Sequence, residues 1–167
     1  SSASSGKVLR DALRTMLMTA SDNRVTSRLT KLMTDIKNLD AISVRGLRTV
    51  GTAIALPTAK ALLKGFNFNS KAILGGVLYK PYAVNTVTGV ITINGLVPIN
   101  DIAFPSGSTH VSMKGAWAKI DFATGVSDVQ FSNTVNLPID GIVTNAILTP
   151  ALAPVGAGTD VYLLLVE

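Results

Sequence analysis

The chain has 167 residues, of which 47% are apolar and 15% are charged, with one histidine and no cysteine. One histidine and no thiol exclude a multi-histidine metal site, a relay of two histidines and a disulfide framework. The charged share lies below the usual value of about a quarter, a composition common in β-rich surface, fimbrial and virion proteins. Such a surface carries little of the charge that keeps copies of a protein apart.

The charges are unevenly distributed along the chain. Residues 1–64 hold eleven lysines and arginines against four aspartates, a net charge of +7. Residues 65–167 hold four lysines against five aspartates and one glutamate, a net charge of −2. A change of apolar period coincides with this change of charge, so the sequence predicts two modules, a basic helical one over 1–65 and a β-sandwich over 66–167.

Two amphipathic helices are predicted at the start of the chain. Apolar residues recur with helical spacing from Lys7 to Ala20, and again from Val25 to Ile36. The polar joint 21–23 separates them, which favours a helical hairpin. A weaker helical stretch is predicted from Asp40 to Val50, and a short helix opens at Pro57 and stops at Gly65.

After Gly65 the apolar period changes to two. Short alternating stretches begin at Phe66 and continue to the last one, Val161–Val166. Glycine-containing turn signals separate them, as at Thr124-Gly125. The predicted fold class is α+β, with a basic N-terminal helical hairpin and short extra helices followed by an antiparallel Ig-like β-sandwich.

Candidate chemistry is sparse. We interpret His110 as a strand-end or loop residue rather than a general base, and the loop aspartates Asp101, Asp121, Asp128 and Asp140 as turn caps. No EF-hand loop, phosphate loop or dinucleotide fingerprint is present, so the sequence predicts no cofactor, no metal and no enzymatic activity. A calcium site built from the loop aspartates is the alternative that stays open. No apolar run reaches the ~18 residues that span a bilayer.

The basic helices are the more specific signal. One flank of each helix carries three cations, and the six together form a predicted ridge for anion or partner contacts: Lys7, Arg10, Arg14, Arg24, Arg28 and Lys31. Three uses remain open, namely a solvated or intramolecular face, a contact with another copy, and the phosphate backbone of a nucleic acid. Glycan binding is disfavoured because the only candidate aromatic platforms are Tyr79, Tyr82 and Trp117.

Five strings resemble an uncharacterised family of Bacteroidota proteins with a helical N-terminal part and a β-sandwich. They are Ser5-Gly6-Lys7-Val8-Leu9-Arg10, Ala20-Ser21-Asp22-Asn23-Arg24-Val25, Leu63-Lys64-Gly65-Phe66-Asn67-Phe68-Asn69, Leu78-Tyr79-Lys80-Pro81-Tyr82 and Ile120-Asp121-Phe122-Ala123-Thr124-Gly125. The family has no established activity or catalytic residues, so the resemblance assigns neither to this chain. It implies a further strand after Glu167 and a basic segment before Ser1, so we expect this chain to be a trimmed piece of a longer protein.

The sequence favours a non-enzymatic structural subunit that binds other copies of itself, in a filament, a surface layer or a virion-like particle. An extracellular or particle-associated location fits this interpretation better than a cytoplasmic one. The alternatives are a nucleic-acid-associated protein and a glycan-binding sandwich. The expected interface lies on apolar side chains of the helices and of the last strand: Leu9, Leu13, Leu17, Leu29, Leu163 and Leu165.

Overall fold

The computed structural model describes all residues, Ser1–Glu167, and has an α+β fold with seven helices and two small antiparallel sheets. The helices are α1 Ser2–Ala12, α2 Arg14–Leu17, α3 Val25–Lys37, α4 Val50–Ala53, α5 Pro57–Leu63, α6 Leu74–Val77 and α7 Pro98–Asp101. The strands are β1 Ala83–Val84, β2 Ile91–Leu96, β3 His110–Ile120, β4 Ser127–Pro138, β5 Thr144–Leu148 and β6 Thr159–Val166.

The first predicted helix starts earlier than its apolar spacing indicates and is interrupted. Ser1 caps it by accepting a hydrogen bond from the Ser4 backbone, and the Ser4 side chain completes a capping box. Leu13, with φ −104° and ψ 14°, divides the segment into α1 and α2. The small residues Ser2, Ser5 and Gly6 are buried, and a Cβ on Gly6 would lie 3.5 Å from Leu29 Cγ, so α1 packs closely on α3.

The later helical predictions have mixed outcomes. The second helix is confirmed as α3, and the short helix opened by Pro57 is confirmed as α5, followed by Gly65 at φ +82°. The helix predicted after Asp40 is wrong, because residues 41–48 form a loop instead. Phe66 and Phe68 lie outside any strand, and their rings meet edge-on at 5.1 Å.

Two compact units make up the chain. One comprises Ser1–Ser70, Ala118–Asp128 and Val155–Val161, and the other comprises Lys71–Trp117, Val129–Pro154 and Tyr162–Glu167. The modules expected over 1–65 and 66–167 are continuous in sequence, whereas each of these units is discontinuous. In the first unit, a Cβ on Gly51 of α4 would lie 3.0 Å from the Ala123 Cβ in the β3–β4 turn, so this turn belongs with the helices.

The strands form two three-stranded sheets, in the orders β1-β2-β5 and β4-β3-β6. β2 pairs antiparallel with both β1 and β5, and its register with β5 shifts between Ile93 and Leu96, where Asn94 and Gly95 lie inside the strand. Immunoglobulin constant domains have about seven strands, one more than are present here. None of the helices has the length and apolar character needed to cross a bilayer.

In the second unit, side chains from both sheets share one apolar cluster. Its buried members include Ile93 of β2, Met113 of β3 and Ala146 of β5, each 0% exposed. Leu137 of β4 and Leu164 of β6 pack against it and are partly buried. Because side chains alternate between the two faces of a strand, the apolar residues predicted from the sequence lie on one face of each sheet and pack in this cluster.

Candidate functional site

His110 lies exposed at the start of β3, and its Nδ1 is 3.0 Å from the Thr109 hydroxyl. Asp121 binds the backbone amides of Ala123 and Thr124 at the β3–β4 turn. The hydrogen bond from Ala123, followed by that from Thr124, lowers the pKa of this carboxyl below its ordinary value. No group of three or more His, Asp or Glu side chains lies close enough together to hold a metal ion.

Three cations of the predicted ridge surround an open depression of about 440 Å³ in the first unit. Lys7, Arg10 and Arg14 line it, together with the carboxylate of Asp11 and the apolar side chain of Met18. The Arg10 Nε is buried without a hydrogen-bond partner. Lys7 pairs with Asp11 across one helical turn, and this bond is the main reason that the pKa of Asp11 is lowered. The depression therefore presents more positive than negative charge.

Arg28 contributes to the first unit from within. Its guanidinium donates to the backbone oxygens of Asn67 at 2.8 Å and Phe68 at 3.1 Å, and it pairs with the buried Asp22 carboxylate at 2.7 Å. The same group lies 5.0 Å from the centre of the Phe66 ring. These contacts tie α3 to residues 66–68, so Arg28 is occupied inside the chain.

The two other cations of the second flank differ. Lys31 pairs with Asp35 at 2.8 Å, and the two side chains are 78% and 45% exposed, so this ion pair contributes little stability. Arg24 precedes α3 and is exposed. Lys7, Arg28 and Lys31 thus have carboxylate partners, and the charge available to an external anion is smaller than the sequence indicates.

The four helical leucines of the expected interface are core residues of the first unit. Leu9 is 1% exposed, Leu13 and Leu29 are 0% exposed, and Leu17 is 7% exposed. Their apolar surface is already used to pack the helices, so a contact between copies must use other side chains. Leu163 and Leu165 of β6 differ from them, because both are partly exposed.

β6 lies at the end of its sheet, with β3 as its single neighbouring strand. Every residue of Val161–Val166 is partly exposed, and charged residues occur only at Asp160 and Glu167 on either side. Natural edge strands usually carry lysine, proline or a bulge that discourages pairing with another chain. The apolar part of β6 has neither lysine nor proline.

The aromatic candidates for glycan binding are separated by burial. Trp117 is only 6% exposed and stacks on Tyr162, with ring centres 5.8 Å apart. Tyr79 and Tyr82 are 59% and 47% exposed. A sugar platform would have to use these two tyrosines, and the glycan interpretation stays a prediction.

Asp40 shapes a loop where the sequence pattern predicts a helix. This residue is 1% exposed, and its Oδ1 accepts hydrogen bonds from the amides of Ile42 at 3.1 Å and Ser43 at 3.0 Å. Its Oδ2 accepts from the Thr49 amide at 3.1 Å, so one carboxylate holds both ends of residues 41–48. The bonds from Ser43, with weaker contributions from Thr49 and Ile42, lower the pKa of Asp40 to about 2.

The loop 41–48, here called the Asp40 loop, displays apolar and basic side chains together. Ile42 is 87% exposed, Val44 is 67% exposed and Leu47 is 69% exposed. Arg45 and Arg48 are also exposed. Two features of the sequence could have indicated this loop. An aspartate precedes alternating apolar residues, and Gly46 weakens a helix in this stretch.

A second exposed apolar group lies in the other unit and carries the opposite charge. Ile142 and Val143 are 69% and 65% exposed, and the Ile142 amide donates to the Asp140 carboxylate at 3.0 Å. Ile99 of α7, 51% exposed, donates its amide to the Asp140 backbone oxygen at 3.0 Å. These residues, with Asp101 at the end of α7, are here called the Asp140 patch.

No protein-family model matches this chain, and no curated protein or solved structure is significantly similar to it. The resemblance to a Bacteroidota family therefore stays a prediction.

Proposed function

We propose that this protein is a non-enzymatic structural subunit whose copies form a homopolymeric assembly, such as a filament, a surface layer or a virion-like particle. The observation that carries the proposal is β6, an apolar strand at the end of a three-stranded sheet with one strand neighbour. An extracellular or particle-associated location belongs to the same proposal.

An apolar edge strand favours association for two reasons. Its outer backbone edge can add a strand from another chain, and its partly exposed side chains lose contact with water when it does so. The side chains of Leu164 and Val166 pack against the apolar cluster and so fix the position of β6 in the sheet. Leu163 and Leu165 are the alternate side chains and remain the expected interface residues.

The proposal keeps the finer architecture expected from the sequence, a basic helical hairpin and an Ig-like sandwich. The close packing of Gly6 in α1 on Leu29 in α3 supports the hairpin. The apolar cluster fed by both sheets supports a sandwich-like arrangement in the second unit.

The proposal is tested by the concentration dependence of assembly. We expect size-exclusion chromatography with light scattering to show growing oligomers, and electron microscopy of the same samples to show regular particles. Leu163→Lys combined with Leu165→Lys should raise the concentration needed for assembly at least about tenfold, because charges on an edge strand oppose pairing. Leu152→Lys is the matched control, since Leu152 is 69% exposed outside the strands.

Circular dichroism and thermal unfolding must show that each variant is folded. A chain that stays monomeric at millimolar concentration would contradict the proposed function. Assembly that is equally weakened by Leu152→Lys would show that any added charge has this effect and that β6 is not special.

Nucleic-acid association remains a second candidate because Lys7, Arg10 and Arg14 surround the open depression of the first unit. The carboxylate partners of Lys7, Arg28 and Lys31 count against it. If the basic helices bind a phosphate backbone, Arg10→Ala with Arg14→Ala should abolish binding to a labelled duplex, and assembly should be unaffected.

A further inference from the structure

The Asp40 loop is a preorganised surface element. Three hydrogen bonds from backbone amides to one buried carboxylate fix its two ends, and the Leu47 amide donates to the Val44 oxygen at 3.0 Å inside it. A loop that is already ordered loses less conformational entropy on binding than a free segment does. Its three exposed apolar side chains are therefore held ready for a contact.

The charge of this loop is one-sided. Arg45 and Arg48 are exposed, whereas the single carboxylate of the segment, Asp40, is buried and fully used by backbone amides. The Arg48 guanidinium reaches only the Asn38 backbone oxygen, at 3.5 Å. A partner for this loop should offer apolar surface next to negative charge.

The Asp140 patch of a second copy has that chemistry. It presents three exposed apolar side chains, Ile99, Ile142 and Val143, beside the Asp140 carboxylate. Asp101 adds a second negative charge at the end of α7, where its Oδ2 accepts a hydrogen bond from the Val97 amide at 2.7 Å. Within 41–48 and within this patch the charges are of opposite sign, two arginines against two aspartates. Every copy carries both surfaces in equal number.

We propose that the Asp40 loop of one copy binds the Asp140 patch of the next copy, with Arg45 and Arg48 facing Asp140 and Asp101. This inference rests on the proposed function and specifies one of its interfaces. A contact between two different surfaces is heterologous, so it produces rings or open chains rather than closed two-fold dimers. The apolar side chains supply buried area, and the charges select the partner and the register.

Charge exchange tests the interface. Arg45→Glu places like charges opposite Asp140, and Asp140→Lys places like charges opposite Arg45, so each variant alone should need at least about tenfold more protein to assemble. An equal mixture should recover assembly, because the unchanged loop then meets an unchanged patch and the loop with reversed charge meets the patch with reversed charge. Light scattering on the separate and mixed samples measures both effects.

Two controls separate charge exchange from general damage. Lys60→Glu reverses the charge of an exposed cation in α5, outside the loop and outside the predicted ridge, and should leave assembly unchanged. Asp140→Asn keeps an oxygen for the Ile142 amide and removes only the charge, so it should weaken assembly less than Asp140→Lys. Asp140→Lys also loses the hydrogen bond from the Ile142 amide, so thermal unfolding must show that every variant is folded at the temperature of the assembly measurement.

The outcomes distinguish the two proposals. Wild-type protein that never assembles contradicts both. Wild-type protein that assembles, with Arg45→Glu and Asp140→Lys behaving like wild type or failing to recover on mixing, overturns this interface and leaves the proposed function standing. Loss of binding to phosphatidylserine vesicles in Arg45→Glu, with assembly unchanged, would assign the loop to a membrane surface instead and would also overturn the inference.

Discussion

Asp40 is a buried charge that accepts hydrogen bonds from three backbone amides. Ile42, Ser43 and Thr49 each donate to it, and no lysine or arginine pairs with it. Hydrogen bonds of this kind stabilise the ionised carboxylate and replace the water that it loses on burial. The third bond, from Thr49, closes residues 41–48 into a loop, and Gly46 at φ +95° lies outside the helical region, so the predicted helix is absent.

The free energy of unfolding of the first unit should fall at acid pH because of Asp40. The pKa of Asp40 is lowered from its ordinary value of 3.8 to about 2, and that of Asp22 is also lowered, chiefly by the Ser70 amide. A lowered pKa contributes stability above the unfolded value, and this contribution is lost as the pH falls from about 4 to about 2. Thermal unfolding followed by circular dichroism at successive pH values measures the loss.

Asp40→Asn should reduce both the stability at neutral pH and its loss in acid. Asparagine keeps one acceptor oxygen and loses the other and the charge, so we expect Tm to fall by roughly 5 °C at pH 7. Asp35→Asn removes an exposed ion pair and should change Tm by no more than about 1 °C. An Asp40→Asn protein with the acid response of wild type would contradict this account.

Gly158 is required by both its conformation and its surroundings. Its φ is +130°, and a Cβ would lie 2.5 Å from the backbone carbon and oxygen of Ile120. We expect Gly158→Ala to lower the free energy of unfolding by about 3 kcal/mol, from backbone strain and overpacking together.

Gly107 allows the effect of backbone strain to be measured without overpacking. Its φ is +87°, but a Cβ there would meet nothing within 4 Å, so Gly107→Ala should cost only about 1 kcal/mol. Urea unfolding of the two variants measures the difference. Equal losses would show that the contact with Ile120 relaxes at little cost.

At the scale of elements, the helices of the first unit depend on small residues in α1. Gly6 lies in the helix interior, where glycine is less stable than alanine by about 1 kcal/mol. The position lets α1 approach Leu29 of α3, which is 0% exposed. Helix propensity favours alanine at this position, and the distance to α3 decides whether the added methyl group fits.

The 3.5 Å distance from a Cβ at position 6 to Leu29 Cγ leaves room for this methyl group, because it is an ordinary van der Waals contact. We expect Gly6→Ala to stabilise the protein by about 0.5–1 kcal/mol, and Leu29→Ala to destabilise it by about 3 kcal/mol through the cavity that it leaves. Urea unfolding measures both. A loss of stability in Gly6→Ala would show that the added methyl group does not fit against Leu29.

At the scale of the whole molecule, the distribution of charge governs how association responds to salt. Three phosphate contacts from Lys7, Arg10 and Arg14 would make nucleic-acid binding fall roughly fortyfold between 50 and 200 mM salt. Contacts built mainly on apolar side chains, with a few ion pairs at their rim, weaken far less over the same range of salt concentration.

We therefore expect the concentration for half-assembly to rise by no more than about threefold over the same salt range. Light scattering measures it, and fluorescence anisotropy with a labelled duplex provides the comparison. A steep salt response of self-assembly would show that charge pairs, rather than β6, supply most of the contact. A duplex that binds tightly and loses affinity steeply would favour the second candidate function.

Patterns in the sequence were enough to predict the α+β class, the segment of α3, the short helix after Pro57 and the apolar alternation of the strands. These features depend on the spacing of residues that are close in the chain, which periodicity reports directly. The uneven charge also follows from the sequence, since counting needs no structure. The Bacteroidota resemblance and the assembly function remain predictions.

Which of these residues are exposed to a partner depends on the folded chain and cannot be read from the sequence. Leu9 and Leu163 have the same side chain, but one is in the core and the other lies on an edge strand. Arg28 binds residues that follow it by 39 and 40 positions, and Asp140 meets Ile99 across a similar distance along the chain. Local spacing carries no information about such partners, because burial and hydrogen bonding depend on segments that folding brings together.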